Sequence, residues 1–320
     1  PSTSKFTPDA TLEPARRISK VSQASQSLRD FYAWGTDKLL NEGNVHVLYY
    51  DVSRPITDTN IYHGAGTQMP DGSIEPTRNI LGTRKMFQRI YTLIKAKHPD
   101  GKVFYHMSGE IMLPVDSFSD ALIDGENYAG LLDRKENRGY EKVLSVDQFR
   151  TEYSSQNNFG PASVFLPEFD RSKAMLPEDW ETMGYQHADY LMGLIFLHNS
   201  NMWWAYMPYD HVAEVYTAMD KTGWNANWKF TPYWHQKYFS LPEGVYASLY
   251  QSPDDGKVLL VLMNTSGKDQ NLSLPTTLDK STYKTAKAVY PDQMIKVLNG
   301  KTGTIHIADN DFAAMLLEKN

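Results

Sequence analysis

Apolar and polar positions follow two textures along this chain, and the change comes near residue 240. After a polar, Pro-containing lead-in over residues 1–13, Ile18, Val21, Leu28, Phe31, Tyr32 and Leu39 recur at roughly helical spacing. They predict a helix from Pro14 to about Asn41, ended by Gly43. The run Val45-His46-Val47-Leu48-Tyr49-Tyr50 then reads as a strand ending in Asp51, with a long polar loop behind it to about Leu81. A second amphipathic helix carries Met86, Phe87, Ile90, Tyr91, Leu93 and Ile94, and ends near Lys97. Pro99-Asp100-Gly101 turns the chain into the strand Val103–His106.

This alternation continues. Ala121-Leu122-Ile123 is a short strand running into Asp124-Gly125-Glu126, and Val146–Tyr153 reads as helix. Ser163–Leu166 is a strand running into Pro167-Glu168-Phe169-Asp170. Asp179–Leu194 and Val212–Met219 are further helices. Strands that alternate with helices imply a parallel sheet, so residues 1–240 are assigned to an α/β domain. From Pro242 the runs Val245–Tyr250, Val258–Met263, Lys287–Tyr290, Thr304–Ile307 and Phe312–Leu317 are short and separated by turn residues. That is the pattern of an antiparallel β-sandwich, assigned to 241–320.

Composition removes several function classes. The formal net charge of −6, with Lys and Arg scattered, argues against a nucleic-acid partner. No apolar run approaches the roughly 18 residues of a membrane span. The absence of cysteine excludes disulfides, thiolate metal sites and a cysteine nucleophile. Seven Trp and twenty Tyr supply rings that stack on apolar faces, those of sugars included.

In parallel α/β folds the reactive groups stand at the carboxyl ends of the strands. Here those ends carry Asp51, His106, Asp124 with Glu126, and Glu168 with Asp170. Cleaving a glycosidic bond takes two carboxyl groups, one to protonate the leaving oxygen and one to attack the anomeric carbon or activate water. Asp51 and the Asp124/Glu126 pair are the candidates; on a regular strand the last two face the same side. Tyr49, His106, Glu168, Asp170, Trp203, Trp204 and Trp234 are assigned to substrate hydroxyls and ring faces. No HExxH spacing, nucleophile elbow or phosphate loop occurs, so no metal or cofactor is assigned. A non-catalytic carbohydrate-binding protein and a metal-dependent hydrolase or lyase are the competing classes.

The phrases LYYDVSRP, LGTRKMFQRIYTLIKAKHPDG, HMSGEIMLPVDSFSDALIDGENY, LSVDQFRTEY and FGPASVFLPEF resemble a group of bacterial proteins whose barrels are similar to those of glycoside hydrolase family 123. The resemblance spans roughly residues 45–240. It implies a (β/α)8 TIM-type barrel closed by a C-terminal antiparallel β-sandwich, an oligosaccharide or polysaccharide substrate, and a periplasmic or secreted location. Family 123 uses an adjacent Asp-Glu pair and a substrate acetamido nucleophile; here Val52 follows Asp51. If the visible strands are the fourth to eighth of a barrel, Asp51 ends the fourth and Asp124/Glu126 the sixth. That arrangement resembles the α-galactosidase clan and implies a retaining reaction. The same count implies an amino-terminal portion of the barrel supplied upstream or by another chain.

Overall fold

The computed structural model describes residues 21–107, 111–132, 138–154, 160–169, 179, 184–278 and 281–319. They fall into two compact units, one running to Asp124 with 160–162, the other taking the rest from Gly125 onward. Asp170 and the lead-in lie outside the described residues.

The first unit is a layered α/β structure. Helix α1 (Gln26–Glu42) precedes strand β1 (Val47–Tyr50), helix α2 (Ile80–Lys97) precedes β2 (Lys102–His106), and a one-turn helix α3 (Leu113–Asp116) precedes β3 (Ala121–Asp124). The three strands are parallel, with Tyr50 opposite Tyr105 and Tyr105 opposite Leu122. That register sets the core. Tyr105 and Leu122 are buried with Met86, Phe87, Ile90 and Ile94 of α2, and Tyr50 packs at the margin of the same cluster. The Phe87 and Tyr105 rings lie 4.4 Å apart. Asn79 caps α2 by accepting from Gly82 N at 3.0 Å, one of the orphan donors every helix start carries. Asp120 then ties the layers together: it accepts from Val103 N at 2.8 Å and from Lys95 Nζ at 2.8 Å.

Helix α1 departs from the sequence expectation. Residues 21–25 are not helical, and the helix begins at Gln26 after Ser25. Its buried stripe is Ala33, Thr36 and Leu40, whereas Phe31, Tyr32 and Leu39 are exposed. Small side chains let the helix sit close to its neighbours, and the larger apolar ones face outward.

The second unit pairs β4 (Ala162–Phe165) in parallel with β5 (Asn201–Met202) and carries helices α4 (Val146–Tyr153), α5 (Gln186–His198) and α6 (Tyr209–Asp220). Its larger sheet is antiparallel and six-stranded: β6 (Lys229–Thr231), β7 (Val245–Gln251), β8 (Val258–Asn264), β9 (Thr285–Tyr290), β10 (Gln293–Ile295) and β11 (Asp311–Glu318), in the order β6-β7-β8-β11-β9-β10. The central strands β8 and β11 are buried on both faces, which is why they read as unbroken apolar runs. Leu259, Val261, Met263, Phe312 and Ala314 share a core with α5. Leu260, Leu262, Ala313, Met315 and Leu317 face the opposite core, completed by Leu272, Leu274, Ile305 and Ile307. The second layer of the expected sandwich is thus short, a two-stranded pair of Gln270–Leu272 with Ile305–Ile307. Helix α5 runs to His198, four residues past the sequence expectation, and begins at Gln186. Asn199 at φ 53° ends it in the left-handed turn that Asn tolerates. The described strands do not close into a barrel. No helix among the described residues is long and apolar enough to cross a membrane.

Candidate active site

In the first unit, two adjacent strand ends bring three of the sequence candidates together. The register that sets Tyr50 against Tyr105 places Asp51 level with His106, one residue past each. Side chains alternate across a sheet, so Tyr49, Asp51 and His106 share the face away from α2. Tyr49 Oη lies 2.9 Å from His106 Nδ1, and Asp51 Oδ1 lies 3.2 Å from the same nitrogen. An ionised Asp51 selects the tautomer with the proton on Nδ1, because a bare nitrogen would set lone pair against lone pair. His106 is buried, while two thirds of the Asp51 side chain, 67%, is exposed. The carboxylate is therefore fixed on one side by the imidazole and open on the other.

Two features that sequence reasoning missed hold this arrangement. Ser53 is buried, and both its N–H (3.1 Å) and its hydroxyl (3.0 Å) donate to the His106 carbonyl oxygen. It pins the end of β2 to the loop after β1. Val52 has φ 53°, and its N–H donates to Asp51 Oδ1 at 2.8 Å. A β-branched residue in the left-handed region is a strained position, and such strain collects where geometry is functional. Nothing in the residue type announces it. The only signal in the sequence was a polar Asp-Val-Ser turn directly after an apolar strand.

Asp124 closes β3 and is buried. Alternation groups it with Leu122 and Tyr105, one residue out of phase with Asp51 and His106. The expectation that Asp124 and Glu126 face one side of an extended strand is corrected: β3 ends at Asp124, and Glu126 opens a single 3-10 turn, Glu126–Tyr128. A second buried acid of this unit, Asp116 on α3, has its carboxyl pushed up to about 6 by burial, partly offset by the hydrogen bond from Met112 N.

In the second unit, Gly125 has φ 142°, and a Cβ there would lie 2.2 Å from the Leu166 carbonyl oxygen, so the backbones touch. Past β4, Glu168 is fully buried, and its N–H donates to Tyr140 Oη at 2.9 Å. Burial raises the Tyr140 phenol far above its ordinary range. No sequence signal linked Tyr140 to Glu168. Trp203 and Trp204 follow β5 and keep 38% and 57% exposure, enough to offer ring faces. Trp234 is placed otherwise: Arg150 sits 4.2 Å over its ring, and the Tyr233 ring meets it edge-on at 4.8 Å. One of its faces is already taken. Among the described residues, no cluster of three or more His, Asp or Glu is arranged to hold a metal ion.

No protein-family model matches the sequence, and no curated protein matches it. Solved structures do match the fold. An α-amylase from Anoxybacillus, described as a new glycosyl hydrolase subclass, superposes with a TM-score of 0.59 at 10% identity, covering 94% of this chain and 65% of that one. The α-amylase of Geobacillus thermoleovorans, solved with acarbose, gives 0.57 at 8% identity, covering 94% and 66%. A maltogenic α-amylase from Thermotoga neapolitana gives 0.54 at 10%, covering 95% and 69%. The chain spans slightly under two thirds of the length of the first two. At such identity the likeness is one of fold. This chain has a fold shared with glycoside hydrolases, and the comparison does not single out family 123.

Proposed function

We propose that the protein is a glycoside hydrolase acting on an oligosaccharide or polysaccharide, with its parallel strands belonging to a (β/α)8-type barrel. Asp51 attacks the anomeric carbon to form a glycosyl-enzyme, and a carboxylic acid of the Asp124-Gly125-Glu126 turn that ends β3, either Asp124 or Glu126, protonates the leaving oxygen. The same acid then takes a proton from the water that releases the sugar, so the configuration is retained. His106 and Tyr49 orient Asp51 and face the sugar hydroxyls. Glu168, Trp203 and Trp204 are assigned to substrate hydroxyls and rings.

The observation that carries this reading is the Tyr49–Asp51–His106 cluster at neighbouring strand ends, in a fold shared with amylases. Turnover of a panel of aryl glycosides tests it. Asp51→Asn is expected to reduce kcat about 10³-fold or more with sugar binding kept. Of Asp124→Asn and Glu126→Gln, the one that removes the donor is expected to lose about 10²- to 10⁴-fold, the usual worth of a general acid. Measured side by side, the two decide which residue donates. Unchanged turnover in Asp51→Asn would remove the assignment.

A further inference from the structure

Residues 51–53 grip His106 at two points. Asp51 Oδ1 faces the imidazole Nδ1 at 3.2 Å, and Ser53 donates both its N–H (3.1 Å) and its hydroxyl (3.0 Å) to the His106 carbonyl oxygen. Between them stands Val52 at φ 53°, a conformation that a β-branched residue does not hold of its own accord. Its side chain is 48% exposed, so core packing does not impose that conformation either. The turn is held by the bonds at its two ends. On one side Val52 N–H reaches Asp51 Oδ1 at 2.8 Å, and on the other the buried Ser53 is bonded to His106.

The Asp51 carboxylate is consequently engaged unevenly. Oδ1 takes the Val52 N–H and faces His106, whereas Oδ2 has no hydrogen-bond partner among the described residues, and 67% of the side chain is exposed. A carboxylate nucleophile works best in this condition, one oxygen fixing the orientation and the other presented with its lone pair. Removing the Ser53 hydroxyl leaves the His106 carbonyl with its N–H donor, so no buried polar group is orphaned. It does loosen the end that keeps Val52 from relaxing to negative φ, and that relaxation swings the carboxylate off His106.

We propose that Ser53 is a positioning residue, whose two bonds to the His106 carbonyl hold Asp51 with Oδ1 on the imidazole and Oδ2 toward the substrate. The proposal rests on the hydrolase reading. Attack by Oδ2 forms its bond to the anomeric carbon while the bond from that carbon to the leaving oxygen breaks with its electron pair. The leaving oxygen takes the proton of the acid in the turn after β3.

Kinetics on aryl glycosides and NMR of the histidine ring protons, both on the intact chain, test this. Ser119 supplies the control: it is buried in the same unit, and its hydroxyl donates to the Asp116 carbonyl at 2.6 Å. Ser53→Ala is expected to lower kcat about 10- to 100-fold with KM changed by less than about twofold, the signature of a misaimed nucleophile. Ser119→Ala is expected to keep the parental kcat. The His106 Nδ1–H resonance is expected to move in Asp51→Asn and in Ser53→Ala, and to stay in place in Ser119→Ala. Unfolding midpoints confirm that the variants fold. Parental kcat in Ser53→Ala overturns the inference, as does an equal loss in Ser119→Ala or a His106 resonance that Ser53→Ala leaves in place. If the parent turns over no glycoside but the His106 resonance follows Ser53, the hydrolase reading falls and the positioning of Asp51 by Ser53 stands.

Discussion

Val52 illustrates how a single residue serves the candidate site against its own preference. Its φ of 53° is one that Asn or Gly adopts at far less cost than a β-branched residue. Its N–H nevertheless holds Asp51 Oδ1, so the strained turn and the aim of the carboxylate are one feature. Val52→Asn is expected to raise stability by about 1 kcal/mol, read as a higher urea midpoint at unchanged slope. An unchanged or lowered midpoint would mean that the turn carries no strain. His106 makes the complementary point. Both its ring nitrogen and its carbonyl oxygen are engaged, the one by Tyr49 and Asp51 and the other by Ser53. Neither engagement was visible in the sequence, because the partners come from separate segments.

At the scale of elements, close approach decides what is tolerated. Helix α5 lies so near β11 that a Cβ on Gly193 would fall 2.9 Å from Phe312 Cβ. Gly193 is in mid-helix, where Ala would ordinarily gain about 1 kcal/mol. Here the clash reverses the sign. Gly193→Val is expected to cost about 1–3 kcal/mol through overpacking, measured by chemical denaturation. If the variant were as stable as the parent, the α5–β11 packing described above would be wrong. The apolar period was enough to find α2, α4, β8 and β11, because each buries the residues that its pattern marks. It misread α1. The helical period there marks Phe31, Tyr32 and Leu39, which are exposed, whereas Ala33, Thr36 and Leu40 make the contact.

For the whole molecule, buried titrating groups set how stability follows pH. His198 is fully buried, its Nδ1 donates to Leu194 O at 2.8 Å, and desolvation lowers its pKa to about 4. The unfolded chain binds this proton below about 6.5 and the folded chain does not until about 4. The unfolded state therefore holds more protons in that window, and stability is lost as pH falls through it, by up to roughly 1.4 kcal/mol per pH unit. Asp311 works in the opposite sense. Burial, reinforced by Asp189, raises its carboxyl to about 6, so its contribution is lost as pH rises from about 4 toward 6. His198→Phe is expected to flatten the loss of stability between pH 6.5 and 4, and Asp311→Asn to steepen it. Thermal unfolding across that range checks both, and equal slopes in all three proteins would refute the assignment.

Local sequence determined the order and type of the regular elements and the polar residues at their ends. Those follow from side-chain period and turn chemistry, which neighbours along the chain suffice to encode. Thus Asp51, His106 and Asp124 were legible as strand-end groups. Which of them meet was decided by strand register and by the turns past each strand: Asp51 reaches His106, whereas alternation sets Asp124 one residue out of phase with both. Tertiary packing alone brought Ser53 under the His106 carbonyl. Contacts between distant segments depend on how whole layers settle against one another, and no periodicity within a segment records that.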